Sequence, residues 1–235
     1  MVLVGYTELR DLTAPELSLL PDDERDREFG SPNRRQQFHC GHALLRLLLQ
    51  RVTGRPAAEH TLTTEEGGKP LGPDGIAISI THTGEHVACS VGDGGNIGID
   101  LEGIDERREI SQITERFFSA EEKTWLESGP KARFYMLWVL KEAFVKAHGQ
   151  SVFGGLEKLH CVVEPPRIIA HTTEASFQDL SLYRRDKLFL AIATTDSSLD
   201  DVQFVHWAPA ADDLEDGDAY SLVATTNPDA QKYAA

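Results

Sequence analysis

The chain has 235 residues, a mass of 26.0 kDa, 40% apolar residues and a formal net charge of −15. This length allows one large domain, or two small ones that share an interface. The negative charge argues against a general nucleic-acid binder, because such proteins need a basic surface to displace counterions. Membrane helices require an apolar run of roughly 18 residues, which is absent, and Glu8, Arg10 and Asp11 interrupt any signal-peptide core. We therefore expect a cytoplasmic protein with neither nucleic-acid nor membrane partners.

The first predicted element is a long helix that follows Ser31-Pro32 and ends at Gly54. Serine is a favoured N-cap, proline fits the first turn, and glycine is typical just past a helix end. Three short runs with apolar residues at every second position follow, at 76–80, 87–91 and 97–101. This period of two indicates strands, and the Thr-Gly and Asp-Gly-Gly turns between them predict an antiparallel meander.

The second half repeats this order. A helix is predicted from about Pro130 to His148, where Gly149 stops it, and alternating runs follow at 159–163, 167–170 and 187–194. We therefore predict an α+β fold of two similar halves related by a pseudo-two-fold. In each half a long helix packs on a small, mainly antiparallel, three-stranded sheet, and the active site lies in the cleft between the halves.

The predicted halves are residues 1–104 and 105–235. Charge is distributed unevenly along the chain, since residues 25–69 carry eight Lys or Arg against five acids, whereas residues 196–218 carry eight acids and no Lys or Arg. We expect the acidic segment near the C-terminus to be a solvated and partly mobile face.

Two acids lie on the same face of the third predicted strand. In NIGIDLE the apolar residues alternate with Asp100 and Glu102, so these two carboxylates share one strand face. The pattern alone is weak, because a composition with 38 acids yields about six such acid-x-acid triplets by chance. A solvent-facing strand edge is the alternative interpretation.

The second predicted helix carries a Trp-x-x-Lys-Glu pattern that is rarer than the acid-x-acid triplet. Trp138, Lys141, Glu142 and Lys146 recur at helical spacing, so Trp138, Glu142 and Lys146 project on one side of the helix. A surface pair between Glu142 and Lys146 is the simpler reading of these two residues alone. Together, however, Asp100, Glu102 and Glu142 offer oxygen ligands of the kind that Mg²⁺ prefers.

These motifs resemble those of 4′-phosphopantetheinyl transferases of the Sfp type. The resemblance covers about 130 residues and five blocks in the family's order. Gly68-Lys69-Pro70 is similar to its G-K-P element, and Thr81-His82 stands at its Ser-His position. GIDLE, RFFSAEE and WVLKEAFVK match three further blocks.

The resemblance implies that a serine hydroxyl of an apo acyl or peptidyl carrier protein attacks the β-phosphate of coenzyme A, the co-substrate, and releases 3′,5′-ADP. It implies Mg²⁺, or Mn²⁺ in its place, bound by Asp100, Glu102 and Glu142. Glu142 and Lys146 would be catalytic. The residues implied to border or hold the coenzyme are Arg25, Lys69, Pro70, Thr81, His82, Asp100 and Lys146. We expect the protein to act as a monomer.

Several alternatives stay open. Glu122 in RFFSAEE is a candidate general base, but Ser119 and Glu122 also form the pattern of a helix capping box, which we favour. Arg25 can pair with Asp22 or Glu28 instead of binding the coenzyme. Another Mg²⁺-dependent phosphotransfer or phosphodiester-cleaving enzyme and an inactive carrier-binding module are the competing functions. The sequence does not name the carrier.

Overall fold

The computed structural model describes residues 1–64, 70–150, 152–196, 198–211, 213–217 and 219–227. The chain has a mixed α+β fold, as predicted from the sequence. Among these residues no helix is both long and apolar enough to cross a membrane. Lys69, which the family pattern associates with the coenzyme, lies outside the described residues.

Two long helices dominate the helical part, and five shorter ones flank them. The helices are α1 (Ala14–Leu17), α2 (Asp22–Arg25), α3 (Pro32–Thr53), α4 (Ser111–Phe117), α5 (Ala120–Glu127), α6 (Ala132–Ala147) and α7 (Val152–Gly155).

The strands form two large sheets and one small one. The strands are β1 (Val2–Glu8), β2 (Thr63–Thr64), β3 (Pro70–Leu71), β4 (Ala77–Thr83), β5 (His86–Gly92), β6 (Asn96–Gly103), β7 (Leu159–Glu164), β8 (Arg167–Thr172), β9 (Phe177–Arg185), β10 (Leu188–Thr195), β11 (Val202–His206), β12 (Glu215–Asp216) and β13 (Ser221–Thr225). The first sheet has the order β12-β11-β1-β5-β4, and the second has the order β6-β10-β9-β13-β8-β7. β2 and β3 form a separate pair.

Helix α3 confirms the first helix prediction. The Ser31 hydroxyl accepts a hydrogen bond from the backbone N–H of Arg34 at 3.2 Å, and Gly54 ends the helix with a φ of 72°. A left-handed φ is readily adopted by glycine, which has no Cβ. The apolar face of α3 packs on the first sheet and forms a core with its leucines.

The predicted three-strand meander is wrong in its third strand. β4 and β5 pair as expected, but β6 pairs antiparallel with β10 in the second sheet over its whole length. Alternation along β6 identified its two faces correctly. It could not identify the strand beside it, because pairing partners depend on the packing of distant segments.

The predicted boundary between 1–104 and 105–235 does not separate the sheets. β6 precedes that boundary yet belongs to the second sheet, and β11 follows it yet pairs parallel with β1, with Val2 opposite Val202. The sheets have five and six strands instead of three each, and the predicted pseudo-two-fold is not confirmed. The acidic segment contributes β11 and β12 to the first sheet.

Helix α6 lies directly on β6, and Gly98 allows this close approach. A Cβ at Gly98 would overlap the backbone of Ala143 and Ala147 on α6. A residue with a side chain here would push the helix away from the strand. Gly98 therefore sets the distance between the acids of β6 and the polar residues of α6.

Candidate active site

The acids of β6 and the polar residues of α6 line one cavity, which we call the acid cavity. Its volume is about 340 Å³. β4 forms the side next to β6, and Arg108, in the segment between β6 and α4, completes the wall. The lining residues are Ile80, Thr81, His82, Asp100, Glu102, Arg108, Trp138, Glu142 and Lys146. The structure thus brings together all three predicted metal ligands and Lys146.

Asp100 is buried and held from two sides. Lys146 Nζ donates to Asp100 Oδ1 at 2.7 Å and to the backbone oxygen of Ile99 at 3.1 Å. The Thr81 hydroxyl donates to the same Asp100 oxygen at 3.0 Å and accepts from the N–H of Leu101 at 3.2 Å. Thr81, predicted to contact the coenzyme, is 4% exposed and orients Asp100.

Glu102 and Glu142 experience the negative charge of Asp100 in a partly desolvated site. Burial and the nearby Asp100 charge raise the pKa of Glu102, whose carboxylate accepts from Thr83 at 3.0 Å and from Arg108 at 3.3 Å. Burial and the same charge raise the pKa of Glu142 to about 7, although Lys146 opposes the shift. Clustered carboxylates of this kind favour protonation or a bound cation.

The carboxylate oxygens of Asp100, Glu102 and Glu142 fit a hard cation, although Asp100 and Glu102 have other partners in the structure. Among the described residues, no group of three or more His, Cys, Asp or Glu side chains could hold a metal ion as arranged. Asp100 Oδ2 is buried without a hydrogen-bond partner, and such an orphaned acceptor is costly unless a donor or cation meets it. Carboxylate oxygens are the ligands that Mg²⁺ prefers.

A second cavity of about 610 Å³, the α3 cavity, adjoins the acid cavity and shares Ile80 and His82 with it. Arg27, Arg34 and Pro70 are among the residues that line it. Arg34 Nη1 is 2.8 Å from His82 Nε2. Desolvation and the charges of Arg34 and Lys146 lower the pKa of His82, so this ring is neutral near pH 7.

Arg25 lies outside these cavities. It pairs with Asp22 and Asp26 on the surface of α2, which is the first of the two pairings considered from the sequence. Arg27 and Arg34 are the arginines that line the α3 cavity. Sequence analysis missed both because adjacent basic residues in a surface segment give no sign of which one points inward.

Glu122 is buried, and its partners are other groups of the fold. It forms the predicted capping box with Ser119, and it is 1% exposed. Its carboxylate also accepts from the N–H of Cys161 at 3.0 Å and pairs with Lys141 Nζ at 3.0 Å. Lys141, fully buried, donates in addition to the backbone oxygens of Leu156 and Leu159. Glu122 is absent from the lining of the acid cavity, and its role as a base has no support in this geometry.

Sequence analysis also missed Arg108. It lines the acid cavity and a third cavity of about 500 Å³, the turn cavity, which contains the β4–β5 turn, Tyr135 and Leu188. The acid and turn cavities share Glu102 and Arg108. The three cavities therefore adjoin one another, with the acids in the middle one, and we call them together the groove.

Comparison with known proteins finds similarity to one family of transferases. A model of the 4′-phosphopantetheinyl transferase superfamily matches residues 96–193, which include β6 and α6. The chain is 28% identical over 198 residues to 4′-phosphopantetheinyl transferase HetI of Nostoc sp., covering 80% of this chain and 81% of that protein. It is 32% identical over 150 residues to 4′-phosphopantetheinyl transferase Sfp of Bacillus subtilis, covering 56% of this chain and 65% of that protein.

Among solved structures, the crystal structure of Thermotoga maritima holo-[acyl-carrier-protein] synthase matches 43% of this chain and 63% of that chain, with 21% identity and a TM-score of 0.36. A similarity this low carries no argument here. The match to the family and the named relatives confirm the sequence-based identification as a phosphopantetheinyl transferase. The chain is thus similar to the 4′-phosphopantetheinyl transferase superfamily, through residues 96–193 and through these named relatives.

Proposed function

We propose that the protein transfers the 4′-phosphopantetheine group of coenzyme A to a serine of an apo acyl or peptidyl carrier protein in a Mg²⁺-dependent reaction. The observation that carries this proposal is the groove, in which three carboxylates and Lys146 adjoin a cavity lined by arginines. Anionic phosphates need cations in both the acid cavity and the α3 cavity. Phosphoryl transfer requires of a protein mainly positioning and charge neutralisation.

The α3 cavity suits the nucleotide end of the coenzyme. Arg27 and Arg34 offer positive charge for a phosphate, and Phe38 offers an apolar ring face. The Arg27 guanidinium lies 5.0 Å from the Phe38 ring centroid, and the His42 ring stacks on Phe38 with 3.8 Å between the ring centroids. We propose that Arg27 and Arg34, instead of Arg25, supply the positive charge at this end.

Asp100, Glu102 and Glu142 would hold the cation. A Mg²⁺ ion bound there supplies charge neutralisation for the pyrophosphate. Lys146, positioned on Asp100, adds a fixed positive charge from α6. Among the described residues, the Glu142 side chain has no hydrogen bond or ion pair, so its carboxylate is free to accept a proton.

The proposed transfer is a single displacement. The serine Oγ forms a bond to the β-phosphorus, and the bond from this phosphorus to the bridging oxygen breaks. The electron pair stays on the bridging oxygen, which leaves as part of 3′,5′-ADP. Glu142, which lines the acid cavity, accepts the hydroxyl proton.

The test is to incubate the protein with coenzyme A, Mg²⁺ and a panel of apo acyl and peptidyl carriers, and to measure intact masses. We expect one carrier serine to gain one phosphopantetheine group, with 3′,5′-ADP released in equal amount. Glu142→Gln should abolish this gain, whereas Glu164→Gln, on the exposed edge of β7, should not change it. Hydrolysis of coenzyme A without carrier modification would indicate the phosphodiester-cleaving alternative. Coenzyme and carrier binding without turnover would indicate an inactive module.

A further inference from the structure

Arg108 stands at the junction between the acid cavity and the turn cavity. Its Nη1 donates to Glu102 Oε1 at 3.3 Å, and its guanidinium carbon lies 5.9 Å from the ring centroids of both Phe134 and Trp138. The side chain is 32% exposed. These contacts hold the guanidinium beside Glu102 and the two aromatic rings.

Most of the hydrogen-bonding capacity of Arg108 is unused. A guanidinium carries five N–H donors in a rigid fork, and it binds phosphate oxygens in pairs. Within the described part of the chain, only the bond to Glu102 uses one of them. Lys146, in contrast, already binds Asp100 and the backbone oxygen of Ile99. Arg108 therefore has more uncommitted donors facing the acid cavity than Lys146 has.

The order of the three cavities assigns a position to each part of the substrate. The α3 cavity meets the acid cavity at Ile80 and His82, and the turn cavity meets it at Glu102 and Arg108. With the nucleotide end in the α3 cavity, the leaving phosphate lies nearer His82 and the β-phosphoryl group lies nearer Arg108. Because attacking and leaving oxygens are roughly in line in phosphoryl transfer, the acceptor hydroxyl approaches from the turn cavity.

We propose that Arg108 binds the transferred β-phosphoryl group, at the end of the acid cavity where the acceptor hydroxyl enters. This inference rests on the proposed function. In the reaction the Oγ–phosphorus bond forms, the bond to the bridging oxygen breaks, and the electron pair leaves with 3′,5′-ADP. Arg108 donates to the phosphoryl oxygens while Glu142 takes the proton. Negative charge on those oxygens is thereby stabilised by a preorganised donor.

The test compares 3′,5′-ADP with coenzyme A, which carries in addition the transferred 4′-phosphopantetheine group with its β-phosphate. 3′,5′-ADP contains the leaving phosphate but lacks the transferred one, whereas coenzyme A contains both. In calorimetry with Mg²⁺ present, Arg108→Gln should weaken coenzyme A binding by roughly ten- to hundredfold and leave 3′,5′-ADP binding within about twofold. Transfer by Arg108→Gln should fall by roughly a hundredfold, with Arg108→Lys between it and the wild type.

Arg107→Gln is the matched control, because Arg107 is the exposed neighbour on the same segment. It should bind both ligands and turn over like the wild type. Equal weakening of both ligands in Arg108→Gln would show that Arg108 acts only through Glu102 and would overturn the proposal, as would unchanged coenzyme A binding. A wild-type protein that binds no coenzyme A would instead refute the proposed function.

Discussion

Two acid–lysine pairs on helix α6 have the same chemistry but different environments. Lys141 pairs with Glu122 at 3.0 Å, and their side chains are 0% and 1% exposed. Five residues later, Lys146 pairs with Asp100 at 2.7 Å, and these side chains are 31% and 9% exposed. Both lysines belong to the same sequence motif.

The partners of each pair explain the difference in role. Glu122 and Lys141 have further bonds to backbone groups, which connect α5, α6 and the start of β7. Asp100 keeps one oxygen buried without a partner, and Lys146 faces the acid cavity. A pair whose hydrogen bonds are all satisfied by the fold acts in stability, whereas a pair with a remaining acceptor at a cavity can act on a ligand.

The largest effect is expected when the pair of Asp100 and Lys146 at the acid cavity is broken. Asp100→Asn should lower carrier modification by more than roughly a hundredfold, because it removes a charged cation ligand and the partner of Lys146. The fold should survive, since asparagine keeps the shape of the side chain and can still accept from Thr81. Intact-mass assays and thermal unfolding would measure both effects. Near-normal turnover would refute the assignment of Asp100 as a cation ligand.

The next largest effect is expected when the buried pair of Glu122 and Lys141 is broken. Lys141→Met should lower the free energy of unfolding by about 3–5 kcal/mol, because it leaves Glu122 buried without its counter-charge. Denaturant unfolding would measure this loss. The double variant Lys141→Met with Glu122→Gln removes both charges and should recover part of it.

Glu122→Gln alone distinguishes the two roles considered for Glu122, the helix cap and the general base. From the capping box alone we would expect unchanged stability, but the ion pair with Lys141 now predicts a loss together with a rate per folded molecule close to wild type. A collapse of turnover at unchanged stability would make Glu122 the base instead of Glu142.

A third pair, Glu24 with Arg46, predicts a dependence on pH. Arg46 is 1% exposed and binds both carboxylate oxygens of Glu24 at 2.8 Å. Burial opposes ionisation of Glu24, but hydrogen bonds from His42 and Arg46 outweigh it and lower its pKa to about 2, from an ordinary 4.5. The ionised form therefore stabilises the fold above about pH 4.5, and this contribution is lost as the pH falls towards 2.

Glu24→Gln should accordingly lower the free energy of unfolding by about 3 kcal/mol at pH 7. The difference from the wild type should shrink as the pH falls from 4.5 towards 2, because the wild-type carboxyl then takes up a proton. Asp23→Asn, on the same short helix, is the control and should show no such convergence. A difference that stays constant with pH would contradict the assignment to Glu24.

The smallest effect concerns the cap on the buried pair. The Ser119 hydroxyl accepts from the N–H of Glu122 at 3.2 Å, so Ser119→Ala should cost about 1 kcal/mol of stability with transfer intact. Ser111→Ala, at the exposed start of α4, should cost less. Equal thermal unfolding midpoints for the two variants would indicate that the cap contributes nothing.

The sequence by itself determined the resemblance to the transferase family, the limits of α3 and α6, the cap at Ser119, and the acids and lysine that share the acid cavity. These features are local, since N-caps, terminal glycines, residue periodicity and motif spacing are set by neighbours in the chain. Helix α6 runs from Ala132 to Ala147, within the predicted span, and Gly149 follows it with a φ of 62°.

Only the tertiary structure decided which strand lies beside β6, which arginines face the groove, and which lysine of α6 is buried. Each depends on a partner far away in sequence: β10 for β6, His82 for Arg34, Glu102 for Arg108 and Glu122 for Lys141. A residue's type and periodicity specify its charge and its face. The neighbouring element determines whether that charge is neutralised in the core or remains available to a ligand.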